Sequence, residues 1–186
     1  MKYFKPDLLA RCRSLDDEVA EAAAEEWEQA ITDYRARIKA IRLRLPTGAR
    51  RLFANFSLHD AKLLAILSGN RIPRFTLLVR LEGTPSQPGD VLELDYLIVA
   101  GKHGGIAFRK HHQLPKKDGP GAAWILYDEF DINEERAFFT HSLLLTDGRE
   151  MEIRFHHLQI RRLKKEVILS PIEITEEEKT WPLVET

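Results

Sequence analysis

The sequence predicts an α+β domain, with N-terminal helices, one of them long, packed on an antiparallel sheet of about six or seven strands. Helical periodicity fills the first third of the chain, and after Phe56 the apolar period changes to two. The strand-like segments then follow one another through short turns with no helix between them, the connectivity of an antiparallel sheet. Composition agrees with a folded chain: 186 residues, 44% hydrophobic and 31% charged, enough for one domain with a sizeable core.

The long helix rests on Leu15, Val19, Ala23, Trp27, Ile31, Tyr34, Ile38, Ile41 and Leu45, spaced by threes and fours. Such spacing makes one apolar stripe over about 46 Å if unbroken. Ser14 is the expected N-cap, with Asp17 completing a capping-box pattern, and Pro46 stops the helix. Its charges are segregated: Asp16, Asp17, Glu18, Glu21, Glu25, Glu26, Glu28 and Asp33 precede Arg35, Arg37, Lys39, Arg42 and Arg44. That order complements the helix dipole, and it also offers a polar surface to a partner. A short helix is expected at 48–53, and another from Pro6, which suits a first turn.

The strands follow in order. Phe75, Leu77, Val79 and Leu81 alternate with polar residues, and Leu92, Leu94, Tyr96 and Ile98 form the inward face of the next strand. Residues 83–90, with two prolines and two glycines, are expected to loop, as are 101–105 and 114–121. Segments 106–110 and 124–132 complete the middle of the sheet, with Asp128 expected on the core side together with Trp124, Leu126 and Phe130.

The hairpin across 138–160 can be read to its register. A two-residue Asp147-Gly148 turn would set Leu143 opposite Glu152. A three-residue loop, Thr146-Asp147-Gly148 with Gly148 left-handed, pairs Leu143 with Met151, His141 with Ile153 and Phe139 with Phe155. A one-residue slip turns a whole strand over, so the apolar face selects the three-residue loop. His141 then lies among apolar neighbours, while Glu150, Glu152, Arg154 and His156 point the other way.

The expected organisation is a single domain: 1–56 helical, 57–170 antiparallel sheet and 171–186 an acidic C-terminal tail. The balance of 28 basic and 29 acidic residues gives no bulk attraction to nucleic acid or anionic membranes. The longest purely apolar run, 63–67, is far too short to cross a bilayer. The single cysteine, Cys12, excludes an internal disulfide and fits the cytoplasm.

Chemistry is sparse. Leu58-His59-Asp60-Ala61 stands where helix gives way to strand; His59 beside a carboxylate could act as general base or metal ligand. In an extended segment, however, Asp60 would point away from it, and a ring hydrogen-bonded to the backbone with Asp60 fixing a turn is the simpler reading. In Tyr127-Asp128-Glu129-Phe130-Asp131, Glu129 and Asp131 share a strand face about 7 Å apart, able to flank a cation or water, or else merely solvent-exposed. With His59 and His141 they could form a His/carboxylate cluster. The pairs His111-His112 and His156-His157 are poorly placed to chelate from a strand. The runs Arg109-Lys110 and Arg161-Arg162-Leu163-Lys164-Lys165 suit protected edges as well as RNA. No zinc, Walker or nucleophile-elbow pattern occurs, and no cofactor is expected.

Met1-Lys2-Tyr3-Phe4, Leu58-His59-Asp60-Ala61, Tyr127-Asp128-Glu129 and the hairpin His141, Asp147-Gly148, Glu150 and Phe155 together resemble a bacterial family known only as a domain of unknown function. The order is also similar to small immunity proteins of bacterial toxin systems. The resemblance implies a bacterial cytoplasmic α+β domain and assigns no catalytic residue. Two functions stand open. One is an interaction module, immunity-type, binding another protein through Arg35, Lys39 and Arg42. The alternative is a small hydrolase-like enzyme using His59, Asp60, Glu129, Asp131 and His141.

Overall fold

A computed structural model describes residues 1–68, 73–83, 89–100, 105–110 and 123–163. The loops expected at 101–105 and 114–121, the His111-His112 pair and the acidic tail at 171–186 fall wholly or largely outside the described residues, as does part of the 83–90 loop.

Three helices lead the chain: α1 (Pro6–Arg11), α2 (Asp17–Ile41) and α3 (Thr47–Asn55). Pro6 sits in the first turn of α1, where its missing N–H costs nothing. The cap of α2 differs from the expected one. Asp16, not Ser14, accepts the N–H groups of Glu18 (3.1 Å) and Val19 (3.3 Å), while the Ser14 hydroxyl accepts the Asp16 N–H. The chain must reverse after Arg11 to lay α1 beside α2, where Arg11 and Glu26 form a bidentate pair, and that reversal uses up Ser14 and leaves Leu15 fully exposed. Beyond Ile41 a turn over residues 42–44 replaces the last predicted helical residues, since Pro46 disfavours helical geometry at the residue before it. Of the stripe, Ala23, Tyr34, Ile38, Ile41 and Leu45 are buried and Trp27 and Ile31 half-buried, while Val19 projects into solvent.

Among the described residues seven strands follow: β1 (Ala61–Ser68), β2 (Arg74–Arg80), β3 (Val91–Ile98), β4 (Ile106–Lys110), β5 (Ala123–Asn133), β6 (Phe138–Leu145) and β7 (Arg149–Leu163). Every pairing is antiparallel. Their order, β3-β2-β1-β5-β6-β7-β4, is joined by a further pairing of β3 with β7, so six strands close into a ring and β4 flanks it. The fifteen-residue β7 makes this possible by dividing its second edge: Arg149 to Ile153 pair with β4, and Phe155 to Leu163 pair with β3. Closure leaves less exposed edge than an open sheet of the same strands would carry.

The β6–β7 hairpin has the predicted register. Leu143 pairs with Met151, His141 with Ile153 and Phe139 with Phe155, and Gly148 has φ 80°. In β5 the predicted facing of Trp124 and Leu126 is overturned. A register shift between Ile125 and Tyr127 sends Ile125 into the main core and Leu126 to the opposite face, against Leu9 and Leu144. The bulge adds a residue and so reverses alternation upstream of it, while Asp128 and Phe130 keep their predicted inward side.

Tyr96, Phe75, Phe130 and Phe155 are the largest fully buried side chains of the interior, each contributing about 2–3 kcal/mol of hydrophobic free energy. α3 lies directly on β7: a Cβ at Gly48 would stand 1.8 Å from the Leu158 carbonyl oxygen, so only glycine permits this approach. Among the described residues no helix is long and apolar enough to cross a membrane.

Candidate functional site

The ring of strands is incomplete along β5. Its pairing with β1 reaches only from Ala123 to Ile125, so among the described residues the remainder of that edge has no neighbouring strand. Side chains replace the missing ladder. The Tyr34 hydroxyl accepts the Phe130 N–H at 2.8 Å, and the His59 Nδ1–H donates to the Leu126 carbonyl. Because an antiparallel ladder alternates, a Phe130 N–H turned away from β6 means that the Asp128 peptide faces the same gap.

An aromatic cleft of about 420 Å³ occupies that gap. Phe4, Trp27, Tyr34 and Phe53 line it from the N-terminal segment and the helices, and Tyr127 and Phe130 from β5. The rings brace one another: Phe4 packs within 5.4 Å of Trp27, Tyr34 and Tyr127, and Phe53 lies 5.9 Å from Phe130. The polar groups at its surface include His59, Ser57 and Asp128.

Beneath the cleft runs a polar relay. Asp128 Oδ2 lies 3.2 Å from Nε2 of His141, and Nδ1 of His141 lies 2.7 Å from the Tyr96 hydroxyl. Phe130 stacks flat on the imidazole at 3.9 Å, with an interplanar angle of 12°. The Nε2–H of His141 donates to the Asp128 carboxylate, and its Nδ1 shares a hydrogen bond with the Tyr96 hydroxyl. Burial, reinforced by the Asp128 charge, pushes the Tyr96 hydroxyl well above the ordinary phenol value, and the same two causes raise Tyr34.

The other predicted site residues go elsewhere. Glu129 is not solvent-exposed: its Oε2 accepts the Lys2 N–H at 2.8 Å, and its Oε1 accepts those of Tyr3 (2.7 Å) and Phe4 (2.6 Å). One carboxylate thus ties down the segment that carries Phe4 into the cleft wall. Glu150, on the same outer face, is buried against the Met1 amino group. Asp131 receives Nε of Arg37 at 2.8 Å. His59 and Asp60 do meet, with Nε2 to Oδ2 at 3.3 Å, because 59–60 is a turn rather than a strand and Asp60 adopts φ 58°. Of the five residues considered for catalysis, the structure pairs His59 with Asp60 and gives Glu129, Asp131 and His141 separate partners. Among the described residues, no group of three or more His, Cys, Asp or Glu side chains is arranged to hold a metal ion.

The basic end of α2 divides in two. Arg37 and, just beyond the helix, Arg44 turn toward the sheet side, where they pair with Asp131 and with Glu134. Arg35, Lys39 and Arg42 are exposed on another side, followed by exposed Leu43. Sequence reasoning missed Asp128 as the carboxylate that joins His141 to the cleft, although its inward facing was legible. It had no signal for the aromatic wall, whose rings come from distant segments. No family model matches this chain, and no curated protein matches it in sequence.

Proposed function

We propose that this chain is a protein-interaction module of the bacterial cytoplasm, immunity-type in its mode of action, which binds an acidic protein partner through the outward bases of α2. One observation carries the reading: the five bases at this end of the helix split into two that are used internally and three, Arg35, Lys39 and Arg42, that face solvent at i, i+4 and i+7. Bases needed only for helix–sheet cohesion have no reason to fall on the opposite side. Leu43, next along that face, supplies an apolar contact beside the charges. The resemblance to small immunity proteins supports the same mode, inhibition by occupying a surface. The enzyme alternative is reduced to His59 and Asp60 at the cleft mouth, since Glu129, Asp131 and His141 have structural partners.

Affinity capture from the native host tests this reading, comparing the unaltered chain with a variant carrying Arg35→Glu, Lys39→Glu and Arg42→Glu. The apolar stripe is untouched, so helical circular dichroism should be retained while an acidic partner is lost from the captured set. Retention of every captured protein by the triple variant contradicts the proposal. Loss of a measurable turnover on replacing His59 and Asp60 would favour the enzyme instead.

A further inference from the structure

We propose that the aromatic cleft along the free edge of β5 is a small-molecule site for an organic cation, an ammonium carried on an apolar body, with Asp128 as its counter-ion. The site is separate from the basic face of α2, and neither reading depends on the other.

Three features select this ligand. The wall is built from rings: Trp27 and Tyr127 meet at 4.8 Å and 64°, Phe4 stacks on Tyr127, and Tyr34 and Phe53 continue the surface. The faces of such rings are negative and attract a desolvated cation, with indole the strongest. The lining favours a positive ligand. Asp128 is the carboxylate among the described lining residues, which include no lysine or arginine, and His59 is engaged by the Leu126 carbonyl and the carboxylate of Asp60. The charge is also held in place. His141 is fully buried and its Nε2–H holds the Asp128 carboxylate in position, while Tyr96 fixes the imidazole from behind. The Asp128 side chain remains about one-quarter exposed, accessible from the cleft yet anchored below. A space of about 420 Å³ falls within the range of small-ligand sites.

The same arrangement excludes other classes. An anion would meet Asp128 with no lysine or arginine among the described lining residues to compensate it and with His59 already engaged by Asp60, and a neutral apolar ligand would leave the carboxylate desolvated beside it. An apolar body bearing one positive charge satisfies both the rings and the acid.

The test titrates the full chain with three probes of similar body and different charge: benzyltrimethylammonium, benzyl alcohol and benzenesulfonate. Binding is followed by calorimetry and by the Trp27 indole resonance. The cation should bind with Kd about 1 mM or tighter and shift that resonance, with the neutral and anionic probes about tenfold weaker or more. Asp128→Asn should weaken the cation about tenfold and leave benzyl alcohol unchanged. Should that variant fail to fold, Phe53→Leu, at the exposed rim, decides the matter and should weaken the cation severalfold. Equal binding of all three probes, no saturable binding of the cation, or cation binding unchanged in the variants that fold would overturn the proposal.

Discussion

Replacing Glu129 should loosen the N-terminal segment before it touches the rest of the fold. The carboxylate accepts three backbone N–H groups within 2.8 Å, two on Oε1 and one on Oε2, and is itself buried. Glu129→Gln keeps the shape but removes the charge and turns one acceptor into a donor. The favourable flip preserves the bonds from Tyr3 and Phe4 and sets an NH₂ against the Lys2 N–H. Hydrogen bonds to charged groups are worth about 1.5–3 kcal/mol, so one lost and two weakened amount to about 2–3 kcal/mol. Because the lost bonds all lie in residues 2–4, the cost should appear first as local opening. Native-state hydrogen exchange at Tyr3 and Phe4 should quicken by about 30- to 160-fold, and Trp27 emission should shift to the red as Phe4 leaves its ring. Glu129→Ala should exceed Glu129→Gln, limited by the free energy of releasing the segment into water. Exchange in Glu129→Gln indistinguishable from the unaltered protein, with stability within about 0.5 kcal/mol, would refute the anchoring role.

Other consequences can be checked by standard unfolding measurements. Gly148→Val places a β-branched residue at φ 80° and should cost about 1–2 kcal/mol or more in urea unfolding, whereas a surface change nearby should stay within about 0.5 kcal/mol. Gly48→Ala forces α3 off the Leu158 carbonyl and should cost about 1–3 kcal/mol or more, with Gly48→Ser no better. Tyr34 and Tyr96 hold their protons in the folded state to higher pH than in the unfolded chain, so the unfolded state ionises first. Their contribution is complete below a pH of about 10 and declines above it, and Tyr34→Phe should flatten that alkaline slope while also orphaning the Phe130 N–H.

What was legible in the sequence was local. The register around Gly148 could be read because a left-handed turn and an alternating apolar face agree, and His141 was placed inside by the same logic. The bulge in β5 was not legible: Trp124, Ile125, Leu126 and Tyr127 form an unbroken apolar run, which shows no alternation for an extra residue to disturb. Nor was the burial of Glu129, since its donors lie more than 120 residues away and are backbone groups with no side-chain signature. For His59 and Asp60 the simpler reading is the one observed, a ring hydrogen-bonded to the Leu126 carbonyl beside a turn at Asp60, and the left-handed Asp60 also brings the two side chains together. The closure of the ring depends on β7 changing partners midway, a consequence of topology rather than of any short motif.

The association rate of the captured partner, measured against ionic strength, tests the proposed interaction surface most directly. Exposed charges of the kind presented by Arg35, Lys39 and Arg42 act mainly through electrostatic steering. The rate constant for the unaltered chain should fall steeply as salt is raised toward physiological strength and beyond, while the dissociation rate changes little. Reversing the three bases should slow association at low salt and flatten or invert the dependence. Equal association rates and equal salt slopes for the two proteins would contradict the assignment of this helix face as the docking surface.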